Sequence, residues 1–497
     1  MNFVWYVDGV IVGVFLFFTI AAGLMVRKYV GRVEDFLVAG REMNLHLGIA
    51  SMAATEFGIV TCMYAAQNGY DKGFAGATPG ILFALAMFIV GATGFCIEPL
   101  RAAGVMTIPE LFEKRFGMGI RWASGVVIVL GGLLNMGVFL RTGGEFLIFA
   151  CGLQPEYLEI AMTALLVGVA VYTVLGGMLS VLVTDYLQFV VMSVGLLAVT
   201  ILVMFQVGWN KLVETVAKHH GPGGFNPFIN ESMGVGYVLL NAFVAMAAML
   251  TWQTTIQRLL AAKDSATGRR IYTRTSFFFV CRFLIPGIWG IAALAVLSPE
   301  TVGTNSLYAM PKFVGIVVPV GLSGLLIAAM LAADMSTDSS YMLTWGSVIY
   351  NDILAPLRRR QHWSQKLGLV INRGIVVAIS IFLLLYGLWY PLKGDLWTYL
   401  QLTATIYLSS MSALLISCCY WKRANNWGAA AAIICGAVLP ISYLVIEQLP
   451  QTEHLAAQIG PYWSGVATYL LAGVAMIVGS LLKPLFMGEP RTEEVSI

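Results

Sequence analysis

The sequence predicts an all-α integral membrane protein of about thirteen transmembrane helices, with its N-terminus outside and its C-terminus inside. Three observations predict it. The 497 residues are 59% hydrophobic and 11% charged, with a mean hydropathy of +0.81, whereas soluble domains carry roughly a quarter charged residues. Apolar runs of about twenty residues recur along the chain, the length a helix needs to cross ~30 Å of hydrocarbon, and the alternating pattern of an outer-membrane barrel is absent. The third observation is the distribution of Lys and Arg.

The first apolar run, Trp5 to Met25, lacks a basic leading region and is long enough to be a retained span rather than a cleaved signal. It gives a span at 5–26. Twelve more follow at 45–69, 75–99, 122–150, 157–176, 181–206, 234–257, 275–298, 314–350, 370–390, 396–420, 427–447 and 462–482. With the N-terminus outside, only Lys72, Lys211, Lys218, Lys312 and Lys393 fall on outer segments, and Arg141 and Arg282 fall within spans. All the rest of the 29, Arg358, Arg359, Arg360 and Arg491 among them, lie on cytoplasmic segments, as the positive-inside rule requires.

The longest outer loop, 208–233, contains the turn-rich "HHGPGGFNPF" and reads as irregular. Its Asn230-Glu231-Ser232 sequon is taken as chance. No long hydrophilic domain and no P-loop interrupts the spans, which argues against ATP-driven transport by this chain alone. The seven cysteines lie in or beside apolar segments without metal-ligand spacing and read as small packing residues. The five histidines do not cluster for zinc or catalysis.

Ionisable residues inside spans are costly and usually functional. Here they are Glu56, Arg141, Glu145, Asp185, Arg282, Asp334 and Asp338. Arg141 and Glu145 stand four apart on one helix, either neutralising each other or leaving Arg141 to grip an anionic solute group. Arg282 reads as a side chain that snorkels towards the inner surface. Glu56 beside Gly58, in "SMAATEFGIVTCMYAAQNGY", suggests an interrupted helix whose freed carbonyls could coordinate a cation. The alternative is an ordinary helix with one buried Glu.

The densest polar run is "LAADMSTDSSYML", Leu331 to Leu343, set in apolar sequence. At helical spacing Ala333, Ser336, Thr337 and Ser340 share one stripe, bordered by Ser339, and Asp334, Asp338 and Tyr341 share the next. Oxygen ligands suit a hard cation such as Na⁺. The alternative is that these hydroxyls bond back to their own helix or join it to its neighbours.

Five ordered motifs carry a resemblance along essentially the whole chain: "MTIPELFEKRFG" from Met106, "YTVLGGMLSVLVTDYLQ" from Tyr172, "WQTTIQRLLAAKD" from Trp252, "AADMSTDSS" from Ala332 and "WKRAN" from Trp421. With these the sequence resembles the sodium:solute symporters, whose relatives include bacterial proline, galactose and sialic-acid symporters and animal glucose and choline transporters. The resemblance implies a LeuT-type core of two inverted five-helix repeats with one preceding and two following helices. The segments are then 1–43, an extra helix and cytoplasmic loop; 44–206, the first repeat; 207–233, an extracellular loop; 234–425, the second repeat; and 426–497, two further helices and a cytoplasmic tail. It also implies uptake coupled to inward Na⁺ movement by alternating access, with Na⁺ as coupling ion and no organic cofactor.

Position by position, the resemblance implies a main sodium site of the Ala54 and Phe57 carbonyls, the Ala333 carbonyl, and the Ser336 and Thr337 hydroxyls. It implies a second, as in the sialic-acid type, from Asp185, Ser336, Ser339 and Ser340, so two ions per cycle are expected. The substrate candidates at mid-membrane are Glu56, Gly58, Thr61, Trp252, Gln253, Tyr399, Gln401 and Thr405, with Arg141 a turn beyond Val138, where the sialic-acid type has its carboxylate-binding Arg. Trp252 could face a cation through its ring and Glu56 could pair with an amine. Glu56, Asp334 and Asp338 depart from the commonest family pattern, and Asp334 and Asp338 stay unassigned near the cation path.

The expectation is a sodium-coupled importer of a small polar solute: a sugar, an amino-acid-like molecule, a carboxylate or an amine. Its partners are that solute and the lipid bilayer, with no nucleic acid, the monomer as functional unit, and the plasma membrane (the inner membrane if bacterial) as location. The weighed alternatives are a proton-coupled or passive transporter or channel of the same fold, a solute sensor, and an intramembrane enzyme using Asp334 and Asp338. The short tail "PLFMGEPRTEEVSI" adds no signalling domain, and no other span completes a catalytic set, so no enzyme is expected.

Overall fold

Hydrocarbon offers backbone groups no hydrogen bonds, so a chain crossing it must satisfy its own N–H and C=O groups, and a helix does so within one segment. The computed structural model describes residues 2–357, 363–390, 395–449 and 451–487. Arg358, Arg359, Arg360, Lys393, Arg491 and most of the C-terminal tail lie outside the described residues. Within them the chain is helical, and the one bridge outside a helix joins Met43 to Ala262.

The principal helices, in chain order, are α1 (Asp8–Val26), α2 (Leu45–Thr55), α3 (Ile59–Lys72), α4 (Thr78–Thr93), α5 (Met118–Met136), α6 (Phe139–Cys151), α7 (Leu158–Gln206), α8 (Gly234–Thr251), α9 (Gln253–Ala261), α10 (Ser265–Val296), α11 (Leu322–Val348), α12 (Gln365–Trp389), α13 (Leu396–Tyr420), α14 (Asn426–Gln448) and α15 (Pro461–Met487). Among the described residues, ten helical stretches are long and apolar enough to cross a membrane. One of these, Ile59–Thr93, takes in both α3 and α4, and another, Pro155–Gln206, runs the length of α7. α11 is 27 residues long, but its central Asp, Ser and Thr run lowers its apolarity, and it is not among the ten.

Three elements differ from expectation. The 208–233 loop contains a helix, Trp209–His220, that buries Leu212, Thr215 and Val216. Those positions recur at three and four residues, a period hidden by the glycines and prolines just after it. The span expected at 314–350 is divided: Ala309–Val317 is a short separate helix and α11 starts only at Leu322, after Gly321 at φ +85°. α7 runs as one element across two expected spans, kinked at Gly177, with φ 55° and ψ −151°.

Packing puts polar residues inside and apolar ones outward. α7 exposes Val190, Val194, Leu197 and Ile201, a stripe at helical spacing suited to lipid, while its Asp185 and Gln188 are fully buried. α7 packs along α11, and α1 packs on both. Asp8, at the start of α1, accepts hydrogen bonds from the Gly321 and Gly324 amides, both at 2.7 Å, and so satisfies amides at the N-terminus of α11. The motif after α4 is tied down in the same way: Thr107 and Arg121 both donate to Asp352, each at 2.9 Å.

α3 and α10 approach each other backbone to backbone. A Cβ built on Gly290 would lie 1.9 Å from the Ala66 carbonyl oxygen, a contact that a rigid helix cannot relieve by a rotamer change. Gly290→Ala should therefore lower the thermal midpoint of the detergent-solubilised protein, at a cost of about 1–3 kcal/mol. Gly374→Ala on α12, which meets open space, should leave the midpoint unchanged or slightly raised. Equal midpoints for the two variants would show that this approach does not hold the helices.

Candidate functional site

The helix expected at 45–69 is interrupted where Glu56 and Gly58 suggested: α2 ends at Thr55, α3 begins at Ile59, and Gly58 is extended at φ −99°, ψ 175°. The interruption leaves carbonyls at the end of α2 short of regular helical partners, at the negative end of that helix's dipole, with Ala54 accepting a tight-turn bond from the Phe57 amide at 3.3 Å. α11 supplies the donors. Ser336 Oγ donates to the Ala54 carbonyl at 2.9 Å and to the Ala333 carbonyl at 3.0 Å. Thr337 Oγ1 donates to the Thr55 carbonyl at 3.0 Å, and Gly58 abuts the Thr337 side chain. The structure thus brings Ala54, Ala333 and Ser336 into direct contact. Thr337 meets the carbonyl of Thr55, between the two expected carbonyls, and Phe57 is buried with its ring edge-on to Phe278. Every donor atom in this set is oxygen, as a hard cation prefers.

The second group forms around Asp185 on α7. Its Oδ2 accepts from Ser51 Oγ at 2.5 Å and faces Arg258 Nη2 at 3.4 Å. Arg258, on α9, is fully buried. Its Nη2 also donates to Thr55 Oγ1 at 2.6 Å and to Ser340 Oγ. Ser339 Oγ donates to the Ser336 carbonyl at 3.3 Å, and Asp185 Oδ1 has no partner among the described residues. A guanidinium therefore lies against the expected second sodium ligands, which the charge of "QR" in that motif could have signalled.

Beside the break lies a cavity. Of the substrate candidates, Glu56, Thr61, Trp252 and Gln401 line it. Gly58, Arg141, Gln253, Tyr399 and Thr405 lie outside its lining. Arg141 pairs with Glu145 at 3.0 Å and reaches the Gly387 carbonyl at 3.2 Å, which is the self-neutralising arrangement. Tyr399 Oη bonds to the Leu134 carbonyl at 2.8 Å and to the Tyr386 hydroxyl at 2.9 Å. Trp252 sits at the turn between α8 and α9 and stacks on Tyr407 with centroids 5.7 Å apart.

Arg282 also lines the cavity, and sequence reasoning missed it. It does not snorkel to the surface. Its Nη1 pairs with Glu56 Oε2 at 3.2 Å and its Nη2 donates to Tyr64 Oη at 2.8 Å. Glu56 Oε1 accepts from Thr254 Oγ1 at 2.9 Å and Thr255 Oγ1 at 3.1 Å. The signal was present as two unexplained opposite charges in spans that the fold brings together. Asp334 and Asp338 are both buried, and Asp334 lies against Gly143. Asp334 Oδ2 and Asp338 Oδ1 lack partners among the described residues, and neither carboxylate forms an ion pair there. No cluster of three or more metal-ligating His, Cys, Asp or Glu occurs among the described residues.

The chain is similar to known proteins along most of its length. Sodium/glucose cotransporter 4 of Mus musculus is 28% identical over 484 residues, covering 88% of this chain and 69% of that protein. The sodium/myo-inositol cotransporter of Canis lupus familiaris is 27% identical over 527 residues, covering 93% and 70%. The sodium/mannose cotransporter of Bos taurus is 26% identical over 539 residues, covering 96% and 87%. Among solved structures, a Na⁺-coupled sialic acid symporter in a substrate-bound outward-open state superposes with a TM-score of 0.80 at 19% identity, covering 98% of this chain and 99% of that one. That likeness shows a shared LeuT-type fold. The family model described as the sodium:solute symporter family matches residues 36–436, and the chain belongs to that family.

Proposed function

We propose that the chain is a multi-pass symporter of the plasma membrane that imports a small polar solute by alternating access, with Na⁺ held at the break between α2 and α3. Family membership makes it a sodium-coupled transporter and not an enzyme. The observation that carries the residue assignment is the meeting of Ser336 Oγ with the Ala54 and Ala333 carbonyls. When Na⁺ enters, the hydroxyl turns its lone pairs to the ion, and the carbonyls it now satisfies become ligands. Thr337 and the Phe57 carbonyl complete the main site. The glucose, mannose, inositol and sialic-acid names of the relatives support a small polar solute as a class.

The same reading includes thirteen crossings, with the N-terminus out and the C-terminus in. The stretch Pro155–Gln206 has 52 residues, which at ~1.5 Å per residue is more than twice the ~30 Å of hydrocarbon. The non-helical backbone at Gly177 divides it. The stretch Ile59–Thr93 divides at the turn between α3 and α4, and α11 is a crossing by length and position. The inverted repeats are then 44–206 and 234–425, flanked by the extra helix in 1–43, the loop 207–233 and the last two helices in 426–497. The functional unit is the monomer.

A second sodium ion is assigned to Asp185, Ser336, Ser339 and Ser340, through the unpartnered Asp185 Oδ1. Arg258 holds the other carboxylate oxygen, so the ion shares the carboxylate or displaces the guanidinium. This makes it the weaker of the two sites.

Two outcomes follow for the purified protein titrated with NaCl against KCl at constant ionic strength. Na⁺ should raise the thermal midpoint, and Ser336→Ala should raise the half-saturating Na⁺ concentration about tenfold or more, the equivalent of ~1.4 kcal/mol. Unaltered half-saturation would remove Ser336 from the main site. Asp185→Asn should lower the Hill coefficient of the same titration towards one, and an unchanged coefficient would remove the second site.

A further inference from the structure

We propose that the cavity beside the break takes a small solute bearing a carboxylate on an apolar body, and that Arg282 holds the carboxylate. The proposal rests on the symport reading and names the substrate class for it.

A buried guanidinium inside a membrane span is expensive, and it is kept where it has a task. Arg282 has a side chain only 11% exposed and forms part of the cavity wall. It carries five N–H donors in a planar fork. One meets Glu56, one meets Tyr64, and Nε has no partner among the described residues. The rings of Phe279 and Phe283 lie beside it, with centroids 5.3 and 5.9 Å from the guanidinium carbon. Pro286, four residues on, lacks the N–H that would bond the Arg282 carbonyl.

Glu56 is not free to receive an amine. Both of its oxygens are occupied, one by Thr254 and Thr255 and the other by Arg282. It acts as a positioning residue, orienting the guanidinium as second carboxylates commonly orient binding-site cations. The earlier pairing of Glu56 with an amine therefore gives way to a role in aiming Arg282.

Among the residues lining the cavity, Glu56 and Arg282 cancel. A Na⁺ at the break, next to Thr55 and Thr337 of the same wall, would attract a solute carboxylate, and solute and Na⁺ would strengthen each other's binding reciprocally. The rest of the wall offers apolar surface from Phe83, Phe139, Val244, Met249, Trp252 and Trp397, which suits an apolar body, beside the polar groups of Thr61, Asn135 and Gln401.

The test uses the full-length purified protein with NaCl or KCl and a panel of lactate, nicotinate and phenylacetate, their primary amides, glucose and myo-inositol. In NaCl at least one carboxylate should raise the thermal midpoint by several degrees while its amide does not. Arg282→Gln should reduce that carboxylate's apparent affinity at least tenfold, and Arg282→Lys by less. Because Arg282→Gln leaves Glu56 unpaired, the double variant Glu56→Gln/Arg282→Gln serves as the folding control: it should keep the shift caused by NaCl alone and lose the carboxylate response. The proposal is overturned if all three carboxylates are silent, if the amide stabilises as well as its acid, or if Arg282→Gln keeps the affinity. Loss of the NaCl shift in the unaltered protein would instead overturn the sodium reading.

Discussion

The interaction on which the rest depends is the capture of the carbonyls freed at the end of α2 by hydroxyls from α11. Breaking a helix inside a membrane strands polar groups where no water replaces the lost bonds. The chain meets this constraint with Ser336 and Thr337, which reach across to Ala54 and Thr55. One arrangement thus stabilises the broken helix and gathers oxygen atoms of the kind a hard cation prefers. The α2 carbonyls also hold α11 in register, so the position of Asp334 and Asp338 on its other face follows from the same contact.

Charge inside the membrane is handled by pairing over long sequence distances. Glu56 meets Arg282, and Asp185 meets Arg258. Each pair joins one residue from the first half of the chain to one from the second. Breaking either would leave a buried charge uncompensated, which costs far more than the intact pair contributes. Asp334 and Asp338 stand outside this scheme, buried four residues apart on one helix with no basic partner among the described residues.

Much of this was legible in the sequence because the membrane imposes simple rules. Span lengths, the interruption near Glu56 and Gly58, and the hydroxyl stripe of α11 all depend on local pattern. The self-neutralising Arg141–Glu145 pair was legible for the same reason, since both residues sit on one helix turn. Contacts set by the fold were not. Arg282 and Glu56 are 226 positions apart, and nothing local to either names the other. Arg258 was read as part of a motif, without its burial against Asp185. The Trp209–His220 helix was obscured by the glycines and prolines that follow it. The early limit set for α11 failed because apolar residues continue through the turn at Pro319 and Gly321, and hydropathy alone does not register a turn.

The bonds from Asp8 to Gly321 and Gly324 have a mechanical meaning. α1 is fastened to the N-terminal end of α11, the helix that carries Ser336 and Thr337. Any tilt of α11 would have to carry α1 with it or shed both bonds, and α1 packs along α7 as well. With Phe17 and Phe18 exposed, α1 is an outrigger that couples α11 to its surroundings.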